Sequence, residues 1–314
     1  MVYFFHKNCI FIMNHHTSLN SDLFKAIALM LVAAMGFSIM NVLIRWTAGD
    51  LHPFQIAFFR NLFGLVFMLP WVIKNGYRSF KTRRLKLFFV RALLGLISML
   101  CYFWGISVLP LAKAVSLSFT VPLFVTIGAS LVLKEDVHFR RWIAVIVGFI
   151  GTLIILRPSV DGDLFASLIV VGSSVTMAAS VLIIKSLSRT ENTNVIVMYM
   201  VLLMTPLSLP VAISVWQWPS YEIWLWVILM GFMGSFAHLM FTHSLKMSEV
   251  SVVMPFDFAR LPFIIILAWI IFDQSVDRWT IIGAIIVFSS GVYIARREAL
   301  LNKKRALLAK IPEG

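Results

Sequence analysis

The stretch DLFKAIALML at residues 22–31 returns as DLFASLIVVG at residues 163–172. Each copy is a short polar lead-in to a long apolar run. A second pair follows downstream: KEDVHFRRWIAVIVGFIG (134–151) is echoed by FDQSVDRWTIIGAIIVFSSG (272–291). The copies stay roughly 137 to 141 residues apart, and a separation this constant marks two tandem halves of one architecture.

The medium that this architecture inhabits follows from composition. Of 314 residues, 60% are hydrophobic and 13% charged, with a mean hydropathy of +0.92. Such a chain has too few polar groups to cover itself in water. A bilayer core about 30 Å thick asks instead for helices of roughly 20 apolar residues. Apolar runs lie near 23–44, 53–73, 87–107, 109–133, 142–156, 164–184, 194–215, 223–244, 250–272 and 279–295. The expected fold is therefore an all-α integral membrane protein of ten transmembrane helices. The third and fourth runs almost merge, with Pro110 and Lys113 marking the break. Trp46, Trp71, Trp142, Trp216, Trp218 and Trp279 fall at run ends, where amphipathic rings favour the interface.

Five spans per half is an odd number, so the second half enters the membrane upside down relative to the first. The expected units are an N-terminal tail (1–22), a first five-helix repeat (23–156), a linker (157–163), an inverted second repeat (164–295) and a basic tail (296–314). With both termini cytoplasmic, 19 of the 27 Lys and Arg fall in inner segments and 4 in outer loops; Lys25, Arg60, Arg91 and Arg260 lie within spans. Positive charge collects on the cytoplasmic side. This places the chain in a bacterial-type inner membrane with both ends inside.

The net charge of +13 is thus explained by topology, with no nucleic-acid partner implied. The opening FFHKNCIFIM is interrupted by His6, Lys7 and Asn8 and does not read as a signal peptide. The polar lead-in at Met13 suggests translation from there. Cys9 and Cys101 stand alone, and His238 and His243 are five apart and share no helix face, so no metal or other cofactor is expected. No Walker phosphate loop, HExxH or GxSxG motif is present, which argues against ATP-driven transport by this chain and against an enzyme.

One segment breaks the apolar pattern: PFDFARLPF at 255–263. An ionisable residue at membrane depth costs at least about 2.5–3.5 kcal/mol and normally faces protein or a watery cavity. Asp257 and Arg260, three apart, share a helix face. Pro255 and Pro262 each remove a backbone donor, as does Pro122 at the matching place in the first half, SLSFTVPLF (116–124). Proline-interrupted spans in corresponding positions point to a central site. At an offset of 137, Thr120 matches Asp257. The expected substrate contacts are Asp257, Arg260, Arg60, Thr120, Ser116 and Lys113, with Pro122, Pro255 and Pro262 as helix breakers. Two roles stand open for Asp257 and Arg260: lining a cavity, or stapling the ninth span to its neighbours. Arg91 reads as snorkelling to the cytoplasmic surface, Tyr102, Trp104 and Phe119 as packing, and GSSVTMAAS (172–180) as a stripe for close helix approach.

Three segments carry a family resemblance: PFQIAFFRNLFG (53–64), SVLPLAKAVSLSFTVPLFVTIGASLVLKE (107–135) and HSLKMSEVSVVMPFDFARLPF (243–263). The chain resembles the EamA-type members of the drug/metabolite transporter superfamily. Glu135 after the fourth span fits the pattern; Asp273 stands after the ninth where Glu is usual. The resemblance implies two tandem five-helix units and a carrier for small organic metabolites, in a group that includes S-adenosylmethionine uptake and amino-acid or metabolite export. With Arg60, Arg260 and Asp257 leaving one surplus positive charge, the expected solute bears a carboxylate or is zwitterionic. The competing class is a channel or a non-transporting membrane scaffold. A homodimer is compatible with the sequence.

Overall fold

The computed structural model describes residues 2–76, 82–121, 123–125, 127–128, 139–156, 164–247, 253, 256–257, 259–290 and 292–293. Pro122, Pro255, Glu135, the linker 157–163 and the tail 296–314 lie outside the described residues. Those described are helical or in short connections, and no strand occurs among them. The helices run α1 (Val2–Thr47), α2 (Pro53–Asn75), α3 (Leu85–Val108), α4 (Leu111–Ser118), α5 (Phe139–Leu156), α6 (Leu164–Ser188), α7 (Thr193–Ile213), α8 (Tyr221–Met247), α9 (Arg260–Phe272) and α10 (Arg278–Ser290). Six are long and apolar enough to cross a membrane: α1 over Leu23–Thr47, α2, α3, α6, α7 and α8. The others are shorter apolar helices. The segment expected as an N-terminal tail continues α1 as helix back to Val2.

Local chemistry sets the ends. His52 caps α2 by accepting from the Phe54 amide at 3.3 Å, and Pro53 opens the helix where its missing N–H costs nothing. Asn192 caps α7 in the same way. Helix α3 closes at Val108 and Pro110 stands at the N-cap of α4, so the merged apolar run does divide there. Helix α4 stops at Ser118, four residues before Pro122, which is where a proline leaves a carbonyl without its amide. Pro262 sits in the first turn of α9, just after the turn at Ala259, where its missing N–H costs no intrahelical bond. Asp273 ends α9 in the left-handed conformation at φ 50°. Next to it, Gln274 accepts from the Leu111 amide at 3.1 Å and so caps α4.

The two sequence halves interleave. Helix α1 packs chiefly on α8, α3 on α6, and α2 on both α7 and α8. Small residues permit the close crossings. A Cβ at Gly64 would meet Ser235 Oγ at 2.4 Å, and one at Gly231 would meet Phe63 Cβ at 2.4 Å, so α2 and α8 touch nearly backbone to backbone. Gly36 faces Ala237 where α1 crosses α8. The outer faces remain apolar: Ile146, Ile150 and Leu153 on α5 and Ile281, Ile282 and Ile285 on α10 are exposed. That surface suits a lipid solvent.

Candidate functional site

Between these packed pairs lies a cavity of about 170 Å³. Its lining comes from α1, α2, α3, α6, α7 and α8, together with Ser118, Phe119, Val121, Asp257 and Arg260. Asp257, Arg260 and Arg60, separated by some 200 residues of chain, meet here. Arg260 Nη2 donates to both carboxylate oxygens of Asp257, at 2.5 and 2.7 Å. The two side chains are 16% and 14% exposed respectively. The Arg260 guanidinium also lies over the Phe37 ring, 4.7 Å from its centroid, in a cation–π contact. Its own carbonyl accepts from Ser38 Oγ at 3.3 Å, which ties the start of α9 to α1.

Arg60 is held differently. It is 2% exposed, and its Nη1 donates to Asn61 Oδ1 at 3.0 Å. Asn61 in turn donates to the Ala57 carbonyl at 3.0 Å, which fixes the acceptor's orientation. Gly234 of α8 makes the room: a Cβ there would stand 2.7 Å from Arg60 Nε.

Three expected contacts are not brought to the cavity. Ser116 and Thr120 are wholly buried, and neither lines it; Thr120 Oγ1 donates to the Leu117 carbonyl at 2.8 Å. Lys113 is half-buried in the first turns of α4, also away from the lining. Ser116 sits on a face of α4 that packs into protein, and Thr120 sits in the turn after the helix. The opposite face supplies the cavity with Ser118, and the turn beyond it with Phe119. The offset between halves located the segment correctly and its lining face wrongly.

Other groups join that the sequence did not single out for this role. Arg91 is 4% exposed and lines the cavity, so it does not snorkel. Its Nη2 donates to Met200 Sδ at 3.1 Å. The available signal was its setting, LFFVRALLGL (87–96), apolar on both sides. His238 reaches the cavity edge-on to Phe37, with centroids 5.0 Å apart. Tyr102 and Phe119 line it as well, whereas Trp104 packs against Phe165 as expected. Tyr102 accepts from Asn41 Nδ2 at 3.3 Å. The small-residue stripe on α6 does two jobs: the Ser173 carbonyl accepts from Ser98 Oγ at 2.9 Å across the α3 contact, and Ser173, Ser174 and Ser180 face the cavity.

The site is thus a partly enclosed chamber within an apolar bundle, with apolar and thioether walls and a few fixed charges. Such a chamber suits the binding of a small organic molecule.

Comparison with known proteins agrees with that chemistry. A riboflavin transporter of Vibrio cholerae is 31% identical over 285 residues, covering 89% of this chain and 96% of that protein. An S-adenosylmethionine uptake transporter of Rickettsia prowazekii is 29% identical, covering 89% and 94%. A pseudopaline exporter of Pseudomonas aeruginosa is 25% identical, covering 88% and 98%. A solved crystal structure shares the fold with a TM-score of 0.61 at 17% identity, covering 90% of this chain and 98% of its own. These relatives are named as transporters and not as enzymes. The profile of the EamA-like transporter family matches residues 24–157 and again 164–296. Two matches that together span nearly all the apolar helices leave one assignment: the chain is a multi-pass membrane protein that belongs to the EamA-like transporter family.

Proposed function

We propose that the protein is a secondary carrier of ten spans, built as two inverted five-helix repeats (23–156 and 164–295). It moves a small carboxylate-bearing or zwitterionic metabolite across the inner membrane by alternating access, with both termini cytoplasmic. The observation that carries this reading is the meeting of Asp257, Arg260 and Arg60 in one chamber between interleaved halves.

The packing supports the inverted arrangement. Exchanging α1–α5 with α6–α10 turns the α1–α8 contact into α6–α3, α2–α8 into α7–α3 and α1–α9 into α6–α4, and all six contacts occur. The α2–α7 and α4–α9 contacts map onto themselves. Sidedness is consistent too. Thr82 and Arg84, in a connection assigned to the inside, bond Glu191 and Ser186, which is also assigned there. Gln55, at an outer end, accepts from the Gln217 amide at 3.1 Å in an outer connection. The charge count then sets which side is cytoplasmic. Relatives named for uptake and for export leave both directions open.

The test begins with a thermal-shift screen of purified protein against amino acids, nucleosides, riboflavin, S-adenosylmethionine and organic acids, since a solute that binds only the folded state raises Tm. Liposomes loaded with the solute so found should show saturable uptake and counterflow of its labelled form. Flux without counterflow would identify a channel instead, and no flux a scaffold. Reporter fusions after residues 80 and 300 should both read cytoplasmic.

A further inference from the structure

Arg91 changes the charge balance of the chamber. Among the described residues, three guanidiniums, Arg60, Arg91 and Arg260, line it with one carboxylate, Asp257. That carboxylate is already occupied, with both oxygens on Arg260. Among the described residues, Arg60 donates to the neutral amide oxygen of Asn61. Arg91 has less. Its Nη2 rests on the thioether of Met200, while its buried Nε and Nη1 find no hydrogen-bond partner among the described residues. A buried guanidinium without an acid beside it is strongly unfavourable, and its planar fork of donors matches a carboxylate. A thioether is a weak acceptor on an adaptable side chain, suited to cover the cation and to yield when an acid arrives.

We infer that the solute is a net organic anion whose carboxylate docks on Arg91 and Arg60. This rests on the carrier reading above and narrows it. A net cation such as S-adenosylmethionine, whose sulfonium and ammonium outweigh its carboxylate, is disfavoured. The Asp257–Arg260 pair is already neutral and serves as wall rather than as the anchor for the solute's acid. The working cycle follows from the same balance. An empty chamber must take two uncompensated cations through closure, whereas a loaded one takes at most one. The empty carrier therefore turns over slowly, and the protein exchanges anion for anion.

The probe is an isotope-labelled bacterial metabolite extract, offered to liposomes that hold purified full-length protein, with mass spectrometry reading what accumulates. The wild type should accumulate carboxylates with net negative charge. Preloading with unlabelled extract should speed uptake at least about tenfold. Arg91→Gln should reduce accumulation by about 10- to 100-fold. Arg91→Lys, which keeps the charge and loses the fork, should fall between the two; if Arg91→Gln does not elute as a single folded species, the lysine variant carries the test, and undiminished uptake there would overturn the docking. Accumulation of only neutral or cationic solutes, or uptake indifferent to Arg91→Gln, overturns the anion inference and leaves the carrier reading standing. No accumulation of any solute by the wild type overturns both.

Discussion

At the scale of residues, the Asp257–Arg260 pair separates two roles that the sequence left open. If the pair were only a staple, removing one partner would strand a charge and cost about 3–5 kcal/mol, and removing both would restore the protein. A cavity wall predicts a different pattern. Asp257→Asn should cut flux at least about tenfold through loss of a charge-assisted bond. Arg260→Lys should impair flux as well, because a compact ammonium does not reproduce the guanidinium's position 4.7 Å from the Phe37 centroid. The double variant Asp257→Asn with Arg260→Gln should regain its melting temperature without regaining flux; full flux at saturating solute would leave the pair a staple. Asp257, Arg260 and Arg60 were legible because a charge inside an apolar run has to be housed somewhere. Arg91 was not, since sequence position gives its depth along α3 but not the direction in which its long side chain points. Thr120 and Ser116 failed for a related reason. A repeat offset fixes which segment corresponds, while the lining face depends on where α4 stops, and it stops at Ser118.

At the scale of elements, the chamber exists because α2 and α8 cross closely enough to hold Arg60 between them. Gly234 supplies that space. Gly234→Ala would place a methyl 2.7 Å from Arg60 Nε and 3.0 Å from Met40 Sδ, and the flexible guanidinium is the group that moves. Insertion and melting temperature should change little, while the apparent solute constant rises. Gly231→Ala acts on backbone instead, 3.1 Å from the Gly64 nitrogen, and should destabilise the protein by about 1–3 kcal/mol in a detergent melt. Equal loss of stability in both variants would mean that Gly234 serves the crossing and not the arginine. The six long helices were plain from hydropathy, because a span must be apolar over its whole length. The shorter helices were blurred: α4 ends at Ser118, Phe119 and Thr120 form a turn, and Val121 is helical again, all within one apolar run. Hydropathy measures what a segment can be buried in and does not register where its backbone ceases to be helical. Asp273 illustrates the remainder. It stands at the expected acid position after the ninth run, and the structure uses it as a helix end.

At the scale of the whole molecule, the exchange relation among contacts suggests what moves. Helices α1 and α8 form one tightly packed pair, and α3 and α6 form its counterpart. The chamber lies between them, with Phe37, Asn41 and His238 on one side and Arg91, Tyr102 and Ser173 on the other. Rocking one pair against the other would open the chamber to alternate sides while each pair keeps its own packing. Two cross-links test this in a background where Cys9 and Cys101 are replaced by serine. Gly36 and Ala237 face each other within the first pair, and a Cβ at Gly36 would lie 3.1 Å from that of Ala237, near disulfide reach. Gly36→Cys with Ala237→Cys should therefore oxidise readily and leave exchange at the rate of its reduced form, because nothing within the pair has to slide. Asn41 and Tyr102 bond across the chamber at 3.3 Å, one from each pair. Asn41→Cys with Tyr102→Cys, bridged by a short bis-maleimide, should lose exchange relative to the same variant left unbridged. If the link within the pair stops exchange as completely as the link across the chamber, then α1 and α8 move against each other during transport. The pairs would then not be the rigid units, and the motion would have to be sought in the short helices α4 and α9, whose contact lies on the axis of the exchange.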